Sequence, residues 1–304
     1  MTKRLKLIDF LKGFSIFTIV VMHLLQGYTG GMLNKALSFG GAGVHVFILC
    51  SGFGLYLSYL RKPLSYGIFL KRRFSKIYIP YILVVILSAL LPFYNTSPDK
   101  WSQLWSHVFL YKMFVEDYMG SYGVQFWFLS AILMFYLCWP WIVWGFEKTA
   151  KRKQWLPIVI SLGISIGWAT LVGLLGKEGL RIWNSFFLQY MWEFVLGMYM
   201  AKRYNDDVNF VKLPSYGMLL LIATIGIGIT GYAGVKGGVL KLYNDVPSML
   251  GYLSLAIILY KMIFVNKLFV CINRFSYEWY LTHILVFGCV GYGMKHIFTP
   301  PILT

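Results

Sequence analysis

Leu7-Ile8-Asp9-Phe10-Leu11-Lys12-Gly13-Phe14-Ser15-Ile16-Phe17-Thr18-Ile19-Val20-Val21-Met22-His23-Leu24 reads as a membrane helix with an acid and a base at one end and a histidine near the other. Residues 13–34 carry no Asp, Glu, Lys or Arg. At ~1.5 Å per residue that run is long enough to cross a hydrocarbon core. Eleven steps of roughly 100° bring His23 back to within about 20° of Lys12, so both lie on one face, roughly 16 Å apart along the axis. Ionisable groups inside a membrane helix are costly and face a bundle interior or a polar cavity. A basic group and an imidazole on one stripe at two depths therefore point to a site reaching through much of the bilayer.

The rest of the chain agrees with a membrane setting. Its 304 residues are 58% hydrophobic and only 13% charged, and the mean hydropathy is +0.65. A soluble chain of this length carries about a quarter charged residues. Nearly uncharged runs fall at 8–27, 42–60, 77–94, 124–146, 156–175, 183–201, 214–235, 246–265 and 276–294, predicting an all-α polytopic membrane protein of nine transmembrane helices. Residues 101–115 are aromatic-rich but short. They read as an interfacial helix, with a tenth, tilted span as the alternative. The intervals between runs are short, so residues 1–304 are expected to form a single membrane domain.

The net charge of +17 does not mark a nucleic-acid binder. With the N-terminus in the cytoplasm, nineteen of the 28 Lys and Arg lie in 1–7, 61–76, 147–155, 202–212 and 261–274, all on one side. That is the positive-inside bias, and it predicts a multi-pass protein with its N-terminus in the cytoplasm; the expected setting is a bacterial cytoplasmic membrane. A tenth span at 101–115 would invert every later loop, which favours the interfacial reading. The N-terminus reads as an uncleaved first helix. Cys50, Cys138, Cys271 and Cys289 have no paired spacing and read as small packing residues, with no metal framework.

Several stretches carry polar groups that a membrane helix does not need. Asp9 and Lys12, three residues apart, form either a border ion pair or part of a site. His23 is either a packing histidine or a catalytic imidazole. Asp9 lies about 20 Å below it and cannot orient it, so any partner comes from another helix. In Phe69-Leu70-Lys71-Arg72-Arg73-Phe74-Ser75-Lys76-Ile77-Tyr78-Ile79-Pro80, Arg73 and Lys76 share a face at a helix entry. Such cations either stop translocation or hold phosphate oxygens, and Pro80 is expected to kink the helix. Ser51-Gly52 sits mid-run, as close helix packing requires. Trp127 opens the 124–146 run within Phe126-Trp127-Phe128-Leu129, Glu278 and His283 open the last run as a membrane acid and imidazole, and Glu193 is an acid within the sixth.

In this order and spacing the stretches resemble the acyltransferase-3 family of integral membrane acyltransferases. A D-x-L-[RK]-G-like start with a first-helix histidine matches Asp9, Lys12, Gly13 and His23. An F-F-x-x-S-G-F-like helix matches Phe47 to Phe53, and an R-R-x-x-R-I-x-P-like entry matches Arg72, Arg73, Lys76, Ile77 and Pro80. A W-F-L-like entry, Phe194-Val195-Leu196-Gly197-Met198, and an S-Y-x-x-Y-L-x-H-like last helix from Ser276 to His283 complete a resemblance over roughly residues 5–295. Lys12 and Lys76 stand where arginine is typical, which keeps the charge and loses the planar fork. Ser130-Ala131-Ile132 lacks the glutamate of the larger polysaccharide enzymes, and the resemblance is to the version without an SGNH-type hydrolase domain.

The resemblance implies transfer of an acyl group, most simply acetyl, from cytoplasmic acyl-CoA to a hydroxyl of a cell-envelope polysaccharide or lipid-linked glycan. No tightly bound cofactor is expected. It implies His23 as general base or transient acyl acceptor, assisted by Lys12 and Ser51. Arg72, Arg73, Lys76 and Lys12 would hold the donor, with Asp9, Trp127, Glu278 and His283 in support. The rival from another class is a transporter, in which Asp9, Lys12, His23, Glu193 and Glu278 line a solute or proton path. No inverted repeat or matching pair of broken helices favours it.

Overall fold

A computed structural model describes residues 5–26, 28–94, 98–210 and 212–298. Lys3 and Arg4, both counted toward the inner charge, lie outside the described residues, as does the Lys295 side chain. Among the described residues there is no strand. The helices are α1 Lys6–Gln26, α2 Gly31–Leu37, α3 Gly43–Arg61, α4 Tyr66–Leu90, α5 Lys100–Val108, α6 Trp127–Leu137, α7 Trp139–Ala150, α8 Leu156–Leu174, α9 Arg181–Asn184, α10 Met191–Asp206, α11 Tyr216–Lys236, α12 Asp245–Tyr260, α13 Ile263–Ile272 and α14 Ser276–Phe298, with short 3₁₀ turns between several of them.

Five helical stretches are long and apolar enough to cross a membrane, 6–26, 31–61, 66–90, 156–174 and 216–236. Two bent pairs raise the number to seven if each is one span. α6 and α7 meet at 62°, and α12 meets the 263–294 segment at 114°. Pro140, in the first turn of α7, explains the first break, because it has no N–H to continue the ladder from α6. The multi-pass all-α architecture stands, while several of the nine apolar runs are broken or shortened rather than straight spans. The 183–201 run is one of them: a short helix and a 3₁₀ turn lead into α10, which has 16 residues. Residues 101–115 hold only the nine-residue α5 and a 3₁₀ turn, too short to span. α4 runs on as helix through Pro80.

Bare backbone contact sets the centre of the bundle. A Cβ on Gly52 of α3 would lie 2.0 Å from the Phe194 carbonyl oxygen of α10, and a Cβ on Gly197 of α10 would lie 2.0 Å from that of Leu49. Small residues let membrane helices approach this closely. Gly13 of α1 meets Phe269 of α13 in the same way, with its would-be Cβ 1.8 Å from the carbonyl oxygen. The chain then runs back and forth, so one end of the bundle gathers the segments after α1, after α4, after α8 and after α11. Backbone N–H groups of Arg181 and Ile182 donate to Glu116 Oε1 and Oε2 at 2.8 and 2.9 Å. Gln189 Nε2 donates to the Leu242 carbonyl at 2.6 Å. The opposite end gathers Asp9, Ile77 and Asn273, where Asn273 Nδ2 donates to Asp9 at 3.1 Å and Tyr277 Oη donates to the Ile77 carbonyl at 2.7 Å.

Candidate active site

α1 presents Lys12, Ile19 and His23 at steps of seven and four, one stripe of a helix. α3 presents Val44, Phe47 and Ser51 at steps of three and four. These two stripes, with Gln125 to Tyr136 from α6 and its entry turn and Ser276, Tyr277 and Tyr280 from α14, enclose a cavity of ≈ 200 Å³. The expected Lys12–His23 stripe thus faces one space, together with Ser51 and Trp127.

The group beside His23 from another helix is His283, with ring centroids 5.4 Å apart and planes tilted by 31°. His283 Nδ1 lies 2.9 and 3.0 Å from the carbonyl oxygens of Trp279 and Tyr280, so it carries the proton. That fixes Nε2 as an acceptor, and it is buried without a hydrogen-bond partner among the described residues. The Ser51 hydroxyl donates to the Phe47 carbonyl at 2.8 Å, so its proton is committed within its own helix and only its lone pairs face the cavity. Gln125 Nε2 donates to the Leu281 carbonyl at 3.2 Å, leaving Oε1 buried and unpartnered among the described residues.

The remaining expected residues lie elsewhere. Asp9 is buried in the first turn of α1 against Asn273. Arg72 and Lys76 are exposed, and Arg73 rests on the Phe69 ring at 5.9 Å in a separate small recess with Lys62 and Trp139. Ile77, the residue after Lys76, does line the His23 cavity, so the cations flank its Lys12 end without entering it. Glu278 is exposed on α14 while His283 is buried.

A second cavity, of ≈ 240 Å³, shares Val44 and Trp127 with the first and is far more polar. His45 of α3 lines it, a residue that the sequence reading passes over although it is the one imidazole in the uncharged 42–60 run. Its Nδ1 donates to Glu193 Oε1 of α10 at 2.6 Å, and its Nε2 lies 3.8 Å from Asp245 Oδ1 of α12. Ligand atoms of this trio lie within 4.8 Å of one another. The arrangement is nevertheless a hydrogen-bonded one: a Zn²⁺-like ion holds nitrogen and oxygen each at about 2.1 Å, which keeps neighbouring ligand atoms about 3 Å apart or more.

A family model described as an acyltransferase domain matches residues 5–304, essentially the whole chain. The chain belongs to the acyltransferase-3 family. No curated protein and no solved structure matches the chain. It is a multi-pass membrane acyltransferase, and the transporter alternative falls with that membership. The acyltransferase carries its family-like residues on six helices, and those of four of them, Lys12, His23, Ser51, Trp127 and Tyr280, line one cavity.

Proposed function

We propose that this acyltransferase moves an acetyl group from cytoplasmic acetyl-CoA to a hydroxyl of an envelope saccharide or lipid-linked glycan, with the chemistry at His23. The observation that carries the reading is the shared cavity of Lys12 and His23, running along roughly 16 Å of α1. A narrow space of that length suits a pantetheine arm. Arg72 and Lys76, exposed beside the inner end, are suited to the donor's phosphates. Lys12 adds positive charge deeper on the same path. Gln125 Oε1, a buried acceptor without a partner among the described residues, suits a pantetheine amide N–H.

His23 takes the proton from the acceptor hydroxyl as that oxygen attacks the thioester carbonyl. The tetrahedral intermediate collapses by breaking the carbon–sulfur bond, and His23 returns the proton to the departing thiolate of CoA. Imidazole suits both halves because its unperturbed pKa is near neutrality. His283 Nε2, a fixed acceptor beside His23, is suited to steer the imidazole. The products are one ester and one free thiol.

His23→Ala is expected to keep the protein monodisperse in detergent and to bind labelled acetyl-CoA, while acetyl transfer falls by about 10² or more. Undiminished transfer by that variant removes His23 from the mechanism. Failure of the wild-type protein to bind or consume acetyl-CoA removes the donor assignment.

A further inference from the structure

We propose that the polar cavity on the far side of Trp127 is the acceptor pocket, shaped for a neutral polyhydroxyl ring, in which one ligand hydroxyl bridges His45 Nε2 and Asp245 Oδ1. The inference rests on the acetyl-transfer reading above and adds where the acceptor sits and what holds it. The two side chains stand 3.8 Å apart, too far for a direct hydrogen bond. An oxygen about 2.8 Å from both atoms fits that spacing: with Nδ1–H given to Glu193 and the ring held between two carboxylates as imidazolium, Nε2–H donates to that oxygen and its own hydrogen goes to Asp245 Oδ1. A hydroxyl does both at once; a carboxylate or an ammonium does not.

The walls point the same way. Arg181 and Lys241 bring positive charge, Glu178 and Asp245 negative, so the lining favours no ion of either sign. Gln189 Nε2 is held by Asp245 Oδ2 and the Leu242 carbonyl, both at 2.6 Å, while its buried Oε1 finds no partner among the described residues. That orphan acceptor in a cavity wall calls for a donor from a ligand. Trp127 and Tyr190, with ring centroids 5.8 Å apart and the Arg181 guanidinium 5.5 Å from the Trp127 ring centroid, add aromatic surface to the lining, suited to the C–H groups of a sugar ring.

Glu193 has a positioning role. Fully buried behind His45 and bonded to Nδ1, it fixes the imidazole and aims Nε2 at the cavity. Trp127 and Val44 line both spaces, so a ring in the outer one lies next to the cavity of His23.

The test separates donor from acceptor. In cells whose own copy is deleted, Asp245→Asn, His45→Gln and Asn184→Ala variants would be compared with wild type for base-labile acetate on envelope saccharide. Each purified variant would also be assayed for binding of radiolabelled acetyl-CoA. The expected result is acetate lowered about tenfold or more for Asp245→Asn and His45→Gln, as losing one ligand hydrogen bond implies, with acetyl-CoA binding unchanged. Asn184→Ala, at the cavity wall, should lower it less, losing its bonds to the Glu178 carbonyl and the Ser185 hydroxyl and leaving the His45–Asp245 pair in place. Glu193→Gln, unable to hold the imidazole as an ion pair, should shift the pH profile of transfer and leave acetyl-CoA binding intact. Unchanged acetate in all variants overturns the pocket, and parallel loss of acetyl-CoA binding reassigns the cavity to the donor path. A wild type that binds acetyl-CoA but places no acetate on saccharide overturns the acceptor class itself, and the pocket with it.

Discussion

Lys112 is 2% exposed, in the loop between α5 and α6 and outside the spans. Its Nζ donates to the carbonyls of Ser121 and Gly123 at 2.9 and 3.3 Å and lies 5.7 Å from the Phe126 ring centroid. It thereby clamps a turn in which Tyr122 and Gly123 have φ of 50° and 146°, immediately before Gln125 and Trp127 enter the His23 cavity. Burial pulls the Lys112 ammonium down from its ordinary 10.5 to about 7. Between those values the unfolded chain binds a proton that the folded one lacks, so stability rises with pH across the window, and the burial cost is fully present below about 7. Lys112→Met is therefore expected to change the melting temperature in detergent in a pH-dependent way, with wild type gaining on the variant from pH 7 to 10. Parallel curves would contradict the buried charge. His107, also buried, bonds Tyr81 Oη and Ser121 Oγ at 2.7 and 2.8 Å, and burial, then the Lys112 charge, holds it well below its ordinary value. None of this was legible in the sequence, where Lys112 is one more cation in an outer loop. His23 and Lys12 were legible because a helix repeats. His283 beside His23, and His45 between two acids, depend on how separate helices meet, which no local spacing encodes.

At the level of elements, the contact between α3 and α10 holds both cavities in shape. It carries the His45–Glu193 bond, and it sets where Ser51 faces. Gly197→Ala would place a methyl 2.0 Å from a backbone oxygen and 2.8 Å from the Phe53 nitrogen, where only movement of a whole helix makes room. The expected cost is ~3 kcal/mol or more, at the upper end of overpacking, read as a lowered melting temperature and reduced yield of folded protein. Gly54→Ala is the control. It lies on the same α3 with nothing within 4 Å of its would-be Cβ, so it should melt as wild type does. Equal behaviour of the two variants would show that the close approach does not hold the helices. The sequence marks these contacts plainly, because Gly52 and Gly197 fall in the motif-like stretches. It does not mark the breaks at Cys138 and Met262, since hydropathy averages over a bend and a broken span stays apolar. Pro140 was the available signal for the first.

Across the whole molecule, the proposed function gives opposite tasks to the two ends. The end with Asp9, Arg72, Lys76 and the 150–155 turn is strongly basic, and the end with His23 also holds the polar cavity of His45 and Asp245. If the basic end faces the cytoplasm, as the positive-inside bias favours, the proposed donor would enter where its phosphates are neutralised and the proposed saccharide acceptor would arrive from outside. In a variant freed of Cys50, Cys138, Cys271 and Cys289, Lys151→Cys and Lys177→Cys test this directly, since both positions are exposed and lie at opposite ends of α8. A membrane-impermeant maleimide should label Lys177→Cys in intact cells and Lys151→Cys only after the membrane is opened. The reverse pattern would turn the basic cluster outward and bring cytoplasmic acetyl-CoA in at the His45 cavity. A diphosphate would then meet Asp245 and Glu178 first, and both the donor path and the acceptor pocket would have to be exchanged.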